Sequence, residues 1–87
     1  MNKDLPIFTL DEVSYHDRDD DCWMVIYDQV YDVTNFLNTH PGGDYVMLEY
    51  AGRDATIAFR SAHHESTEAA LKPYLIGILP ESERIWT

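Results

Sequence analysis

One cysteine in 87 residues rules out a disulfide within the chain. Cys22 stands between Asp21 and Trp23 at the start of a β-prone run, where a lone thiol reads as a small core residue in a reducing compartment. Basic residues are scarce as well: six Lys and Arg face sixteen Asp and Glu, for a formal net charge of -10. A nucleic-acid-binding surface needs clustered cations, so nucleic acid is excluded as a partner. The same charge suits a partner with a basic face, because complementary charge raises the rate of encounter. No apolar run approaches the roughly 18 residues of a membrane-spanning helix, and no charged-then-apolar leader opens the sequence. The expectation is a soluble, monomeric domain that meets a membrane only through an anchor outside these residues. No linker, repeat or low-complexity stretch divides the chain, so residues 1–87 read as a single domain. At this length a chain buries only about 60–65% of the surface its unfolded form exposes, and a bound cofactor or metal would help complete the core.

What is present falls into three stretches. Thr9-Leu10-Asp11-Glu12 reads as a capping box opening a short helix through about Tyr15, and residues 16–21 read as a charged loop. Two β-prone runs follow, Trp23 to Tyr27 and Val30 to Val33, separated by Asp28-Gln29, the length of a tight hairpin. Thr34 is placed to cap a short helix carrying Phe36 and Leu37. The middle of the chain then turns helical. Tyr45 to Ala51 stops at Gly52; Asp54 caps a helix with Ala55, Ala58, Phe59 and Ala62; Ser66 caps Thr67 to Lys72, which Pro73 interrupts. Tyr74 to Leu79 returns to strand character. Strands at both ends with four short helices between them make an α+β plan, a small mixed sheet with helices walling a crevice. Trp23 and Tyr31 are expected in a second cluster under the sheet.

Two short segments carry the chemistry. In "HPGG", His40 to Gly43, Pro41 holds His40 in extended backbone geometry and so projects its imidazole from a turn. Gly42 and Gly43 permit a tight bend and let a flat ligand come close to the backbone. In "SAHHES", residues 61–66, His63 and His64 stand side by side, and on these residues alone either could be a ligand or a solvated ring.

Taken in order, Trp23, the hairpin, "VYDVTNFLNTHPGG", "AGRDATIAF", "HH" and "YLIG" resemble the cytochrome b5 domain, over about Leu5 to Leu79. The resemblance implies a cytochrome b5-like fold and a b-type haem held noncovalently, its iron ligated by two histidines. His40 matches the first ligand. The family pattern puts the second 24 positions after the first and five after a pocket phenylalanine; from His40 and from Phe59, both counts reach His64. By the same resemblance the cofactor contacts are Phe36, His40, Pro41, Gly42, Gly43, Val46, Ala55, Phe59, His64 and Leu71, with Ile26, Val33 and Met47 behind them. His63 falls where relatives carry glycine, and its ring is expected near the rim, where it could shift local charge and potential.

The chain departs from the family pattern in places. Glu65 stands where many relatives have serine. The haem-edge acids are thinned to Asp44, Glu49, Asp54, Glu65 and Glu68. The function implied is one-electron transfer by an electron carrier, not an enzyme, between a b5-type reductase and an acceptor oxidase, desaturase or cytochrome with a basic docking face. The cytosol or the cytoplasmic side of a membrane is the expected location, with the endoplasmic reticulum or outer mitochondrial membrane implied for an anchored form. Two alternatives stand beside it. One is a haem- or steroid-binding module of the membrane-associated progesterone receptor type. The other is a zinc site using Cys22, His40 and His63 or His64, whose spacings fit no short zinc knuckle.

Overall fold

The computed structural model describes residues 5–37, 48–62 and 69–87. Helix α1 (Leu10–Ser14) begins as the sequence predicts. Thr9 Oγ1 accepts from the Glu12 N–H at 3.1 Å, and Glu12 Oε1 accepts from the Thr9 N–H at 2.9 Å. A cap of this kind is worth about 0.5–2 kcal/mol, which matters for a helix of little more than one turn.

After α1 come β1 (Asp17–Arg18), β2 (Asp21–Ile26), β3 (Gln29–Asp32), α2 (Thr34–Leu37) and α3 (Thr56–Ala62). A 3-10 turn (Lys72–Tyr74), β4 (Leu75–Ile78) and a second 3-10 turn (Glu81–Glu83) complete the described elements. The sheet has the order β1-β2-β3-β4, with every ladder antiparallel. Its mixed character is confined to two single-residue parallel bridges, Ile7 with Ile78 and Val25 with Asp54.

Three local expectations need correction. Residues 16–21 are not all loop, because Asp17 pairs with Cys22 and Arg18 with Asp21 to form the short strand β1. The second hairpin turns at Tyr27-Asp28, one residue earlier than expected, since Ile26 pairs with Gln29. Both turn residues have positive φ, 52° and 66°, as the twist-matched two-residue hairpin requires. Neither is glycine, so each carries a cost on the order of 1–2 kcal/mol. The third correction concerns Tyr31. The ladder sets Met24 opposite Tyr31, and directly paired residues share a face, so Tyr31 points away from the side on which Trp23 lies.

Two apolar clusters follow from that alternation. The first gathers Cys22, Met24, Ile26, Tyr31, Val33, Ala51, Ala55, Phe59 and Leu71. The second is Val13, Val25, Val30 and Leu79, with Phe8, Trp23 and Ile76 packed around it. Each fully buried Val or Leu contributes about 1.5–3 kcal/mol relative to exposure.

The ends of the chain fasten onto this frame. Ile78 accepts from the Phe8 N–H at 3.1 Å and donates to the Pro6 carbonyl at 3.0 Å, so residues 6–8 lie along the outer edge of β4. Gly77 makes the approach possible: a Cβ there would sit 2.5 Å from Phe8 Cδ2 and 2.7 Å from the Pro6 oxygen. At the other end the Leu10 N–H donates to Glu83 Oε1 at 2.8 Å. Residues 85–87 are packed onto the hairpin turn. The N–H groups of Ile85, Trp86 and Thr87 and the Thr87 hydroxyl all donate to the Asp28 carboxylate, at 2.8–3.1 Å.

Candidate functional site

Four of the sequence-predicted cofactor contacts are described, and all four meet in the first cluster. Phe36 comes from α2, Ala55 from the position just before α3, Phe59 from within α3, and Leu71 from the short helical run before the Lys72–Tyr74 turn. His40, Pro41, Gly42, Gly43, Val46, His63 and His64 lie outside the described residues, as does Met47. Ile26 and Val33 line the same cluster, as expected.

Each wall is held by identifiable bonds. Asp32 Oδ1 accepts from the Thr34 N–H at 3.2 Å and from the Thr34 hydroxyl at 2.7 Å, while Thr34 Oγ1 accepts from the Cys22 N–H at 2.9 Å. The first turn of α2, and with it Phe36, is thereby pinned to β2. The Phe36 ring meets the Tyr74 ring edge-on, with centroids 5.4 Å apart at 67°.

The second wall is sewn to the same strand. Gly52 N–H donates to the Trp23 carbonyl at 2.7 Å, Val25 N–H to Arg53 at 3.0 Å, and Ala55 N–H to the Val25 carbonyl at 2.8 Å. Gly52 takes φ 73°, the left-handed geometry that ends the preceding helical turn where the sequence placed its stop. Asp54 Oδ1 then caps α3 by accepting from the Thr56 N–H at 2.8 Å, the role predicted for it. Ala55 and Phe59 are four residues apart and so share one helix face, which is the inward one. Ile57 looks outward, 61% exposed.

The arrangement is an apolar wall built from three chain segments converging on one sheet face. A flat, hydrophobic ligand is the kind such a wall suits, because aromatic and aliphatic side chains cover its faces and leave polar groups to the rim. Among the described residues no cluster of His, Cys, Asp or Glu could hold a metal ion. Cys22 is fully buried, and its thiol is pushed up to about 11 by that burial and by the nearby Asp32, Asp21 and Asp17 carboxylates. Cys22, the described member of the zinc alternative, lies inside the apolar first cluster and in no potential metal-binding group among the described residues.

His16 is engaged elsewhere. Its ring stacks on Trp23 at 3.6 Å and 4°, and its Nδ1 lies 2.7 Å from Asp21 Oδ1. A second concavity, an open groove of about 550 Å³, runs along the outer face of α3 between Tyr50, Ile57, Ala58 and Ser61 and the tail residues Ile85 and Trp86. Sequence reading missed the tail's part in it, since no local signal joins residues 85–87 to the hairpin.

The family described as "Cytochrome b5-like Heme/Steroid binding domain" matches residues 9–80. Cytochrome B5 isoform D of Arabidopsis thaliana is 51% identical over 78 residues, covering 88% of this chain and 56% of that protein. Cytochrome b5 of Rhizopus stolonifer is 47% identical over 79 residues, covering 90% and 60%. The chain thus spans a little more than half the length of these curated relatives. Among solved structures, Ectothiorhodospira vacuolata cytochrome b558, described as a prokaryotic homologue of cytochrome b5, superposes with a TM-score of 0.79 at 41% identity. That match covers 86% of this chain and 99% of the other. Cytochrome b5 of Ostreococcus tauri virus 2 gives 0.77 at 35% identity, covering 84% and 95%. The progesterone-receptor type is not favoured, since the relatives carry the cytochrome b5 name. With the motif order, the fold and these relatives in agreement, the chain belongs to the cytochrome b5 family.

Proposed function

We propose that this chain is a one-electron carrier that holds a b-type haem noncovalently, with His40 and His64 as the two iron ligands. The observation that carries the reading is the convergence of Phe36, Ala55, Phe59 and Leu71 on one apolar wall. It comes from a chain whose relatives, at 47–51% identity, are named cytochrome b5. The haem, when bound, supplies reversible cycling of iron between ferric and ferrous states. The described residues exclude water from the faces of such a ligand and hold the two walls at fixed separation from β2. If His40 and His64 both hold the iron, no ligand site would stay open for substrate or oxygen, which would favour electron transfer. Negative charge near the iron would favour the ferric state and lower the potential, whereas burial in an apolar site opposes the extra charge of the ferric state and raises it.

Partners follow from charge. A net -10 favours transient docking of a reductase and an acceptor with basic faces, and added salt should slow both encounters. Among the described residues no helix is long and apolar enough to cross a membrane. The proposed setting is the cytosol or the cytoplasmic surface of a membrane, with the domain acting as one monomeric unit.

The test is reconstitution with haem followed by visible spectroscopy of single variants. Wild type is expected to give one haem per chain with a sharp low-spin Soret band that shifts on reduction by a b5-type reductase. His40→Ala and His64→Ala should each lose that spectrum, whereas His63→Ala should retain it. Loss of haem in His63→Ala alone would overturn the ligand assignment, and a five-coordinate, carbon-monoxide-reactive wild type would overturn the carrier.

A further inference from the structure

Among the described residues, the two non-glycine positions with positive φ sit at a point where three segments meet. Tyr27 and Asp28 both hold left-handed φ values without being glycine, and Asp28 is fully buried. Backbone of this kind persists only where its surroundings impose it. Here they do so from three sides. The Asp28 carboxylate accepts four hydrogen bonds from residues 85–87, and its carbonyl accepts from the Leu79 N–H at 2.9 Å. The Tyr27 N–H donates to Thr56 Oγ1 at 2.9 Å. Thr56 is itself fully buried and is the first residue of α3.

The tail is therefore connected to the crevice through one turn. Trp86 meets the Tyr27 ring edge-on, with centroids 5.6 Å apart at 79°. Tyr27 packs against the first cluster and bonds the residue that opens α3, and Phe59 follows three positions later. The Trp86 indole N–H is buried with no hydrogen-bond partner among the described residues, a further cost of about 1–3 kcal/mol that the docked tail sustains.

We propose that Asp28 is a positioning residue for the haem crevice: by clasping residues 85–87 it presses Trp86 on Tyr27 and fixes the start of α3, and so governs how firmly the crevice retains haem. This rests on the haem reading above. Asp28 touches none of the described wall residues in the role of a ligand; it acts through the tail, Tyr27 and Thr56.

The experiment measures haem loss from the reconstituted full chain to excess apomyoglobin. Asp28→Gly suits the turn better than aspartate does but cannot hold the tail, so faster haem loss in this variant cannot come from turn strain. A rise of about three- to tenfold is expected, the size typical of a change relayed through packed neighbours. Trp86→Pro, which deletes one tail donor and the ring on Tyr27, should give the same factor. The double variant should be no faster than either alone, because both cut one linkage. Ferric haem-methyl proton resonances should shift in these variants but not in Val13→Ala, a control that weakens the second cluster. Asp28→Asn, which keeps the side-chain shape, should fall between wild type and Asp28→Gly.

Unchanged haem loss in Asp28→Gly, factors that multiply in the double variant, or equal acceleration in Val13→Ala would each overturn the proposal. Failure of the haem reading itself is distinguishable, since wild type would then show no low-spin spectrum. In that case amide exchange at Tyr27 and Thr56 still decides whether the tail and α3 are coupled: faster exchange in Asp28→Gly supports the linkage, and unchanged exchange overturns it.

Discussion

The two apolar clusters share β2 and β3 yet differ in how they are closed. In the second, Val13, Val25, Val30 and Leu79 are at most 1% exposed, and the residues packed around them come from the N-terminal segment, β2 and β4. In the first, Phe59 and Tyr31 retain 8% exposure, and the strand residues Cys22, Met24, Ile26 and Tyr31 are covered by Ala51, Ala55, Phe59 and Leu71 from short helical or irregular segments. One face is sealed by Val25 and Val30 from the sheet against Val13 of α1 and Leu79 just past β4. The other is a wall whose helices depend on caps and single backbone bonds to β2. Under the proposed function the difference has a simple meaning: the second cluster supplies stability, and the first supplies a surface shaped for a ligand.

The largest test of that division compares Phe59→Ala with Leu79→Ala. Phe59→Ala is expected to cost about 3–5 kcal/mol of unfolding free energy and also to weaken haem binding. Leu79→Ala should cost about 2–5 kcal/mol while leaving haem affinity unaltered once the protein is folded. Urea unfolding and haem titration on both variants check this, and equal losses of haem affinity would erase the distinction between the faces.

A smaller effect concerns the thiol inside the first cluster. Burial, aided by three carboxylates, raises the Cys22 thiol from 9.0 to about 11. A group whose folded-state value lies above its unfolded one stabilises fully below the unfolded value and loses that contribution as pH rises. Urea midpoints should therefore decline between pH 9 and 11, and Cys22→Ala should remove that decline. At neutral pH the thiol should resist alkylation until the protein unfolds.

Asp28 behaves in the opposite sense. Burial alone would raise its carboxyl, but the bonds from Ile85, Trp86 and Thr87 outweigh it and hold the group below the ordinary aspartate range. Its contribution is complete above that range and fades as pH falls through the folded-state value. In a Trp23→Phe background, Trp86 emission should report release of the tail in acid, and Asp28→Asn should flatten that transition. The smallest effect is expected outside both clusters. Ile85 is 77% exposed, and Ile85→Ser should alter stability by no more than about 0.5 kcal/mol in thermal melts.

How much of this was readable in the sequence depended on how local the cause is. The Thr9 and Asp54 caps were legible because each acts within three residues of itself. Phe36, Ala55, Phe59 and Leu71 were legible because the resemblance fixed their places. The hairpin turn was misplaced by one residue, since Tyr27-Asp28 carries none of the glycine that marks such turns. Tyr31 was assigned to the wrong face for the same reason: without the pairing of Met24 with Tyr31, the side on which it points is undetermined. The clasp on Asp28 joins residues 57–59 positions apart, and nothing in a linear pattern announces it.

The N-terminal segment has a further consequence, concerning association between molecules. Strand β4 reads Leu-Ile-Gly-Ile and would otherwise offer an open row of amide groups at the sheet margin. Residues 6–8 occupy that margin through Ile78, in a fit that only a residue without a side chain at position 77 allows. An unprotected apolar edge is a template for another chain. Gly77 thus keeps that edge covered: Gly77→Ala should lift residues 6–8 away, bare the strand, and increase self-association measured by sedimentation.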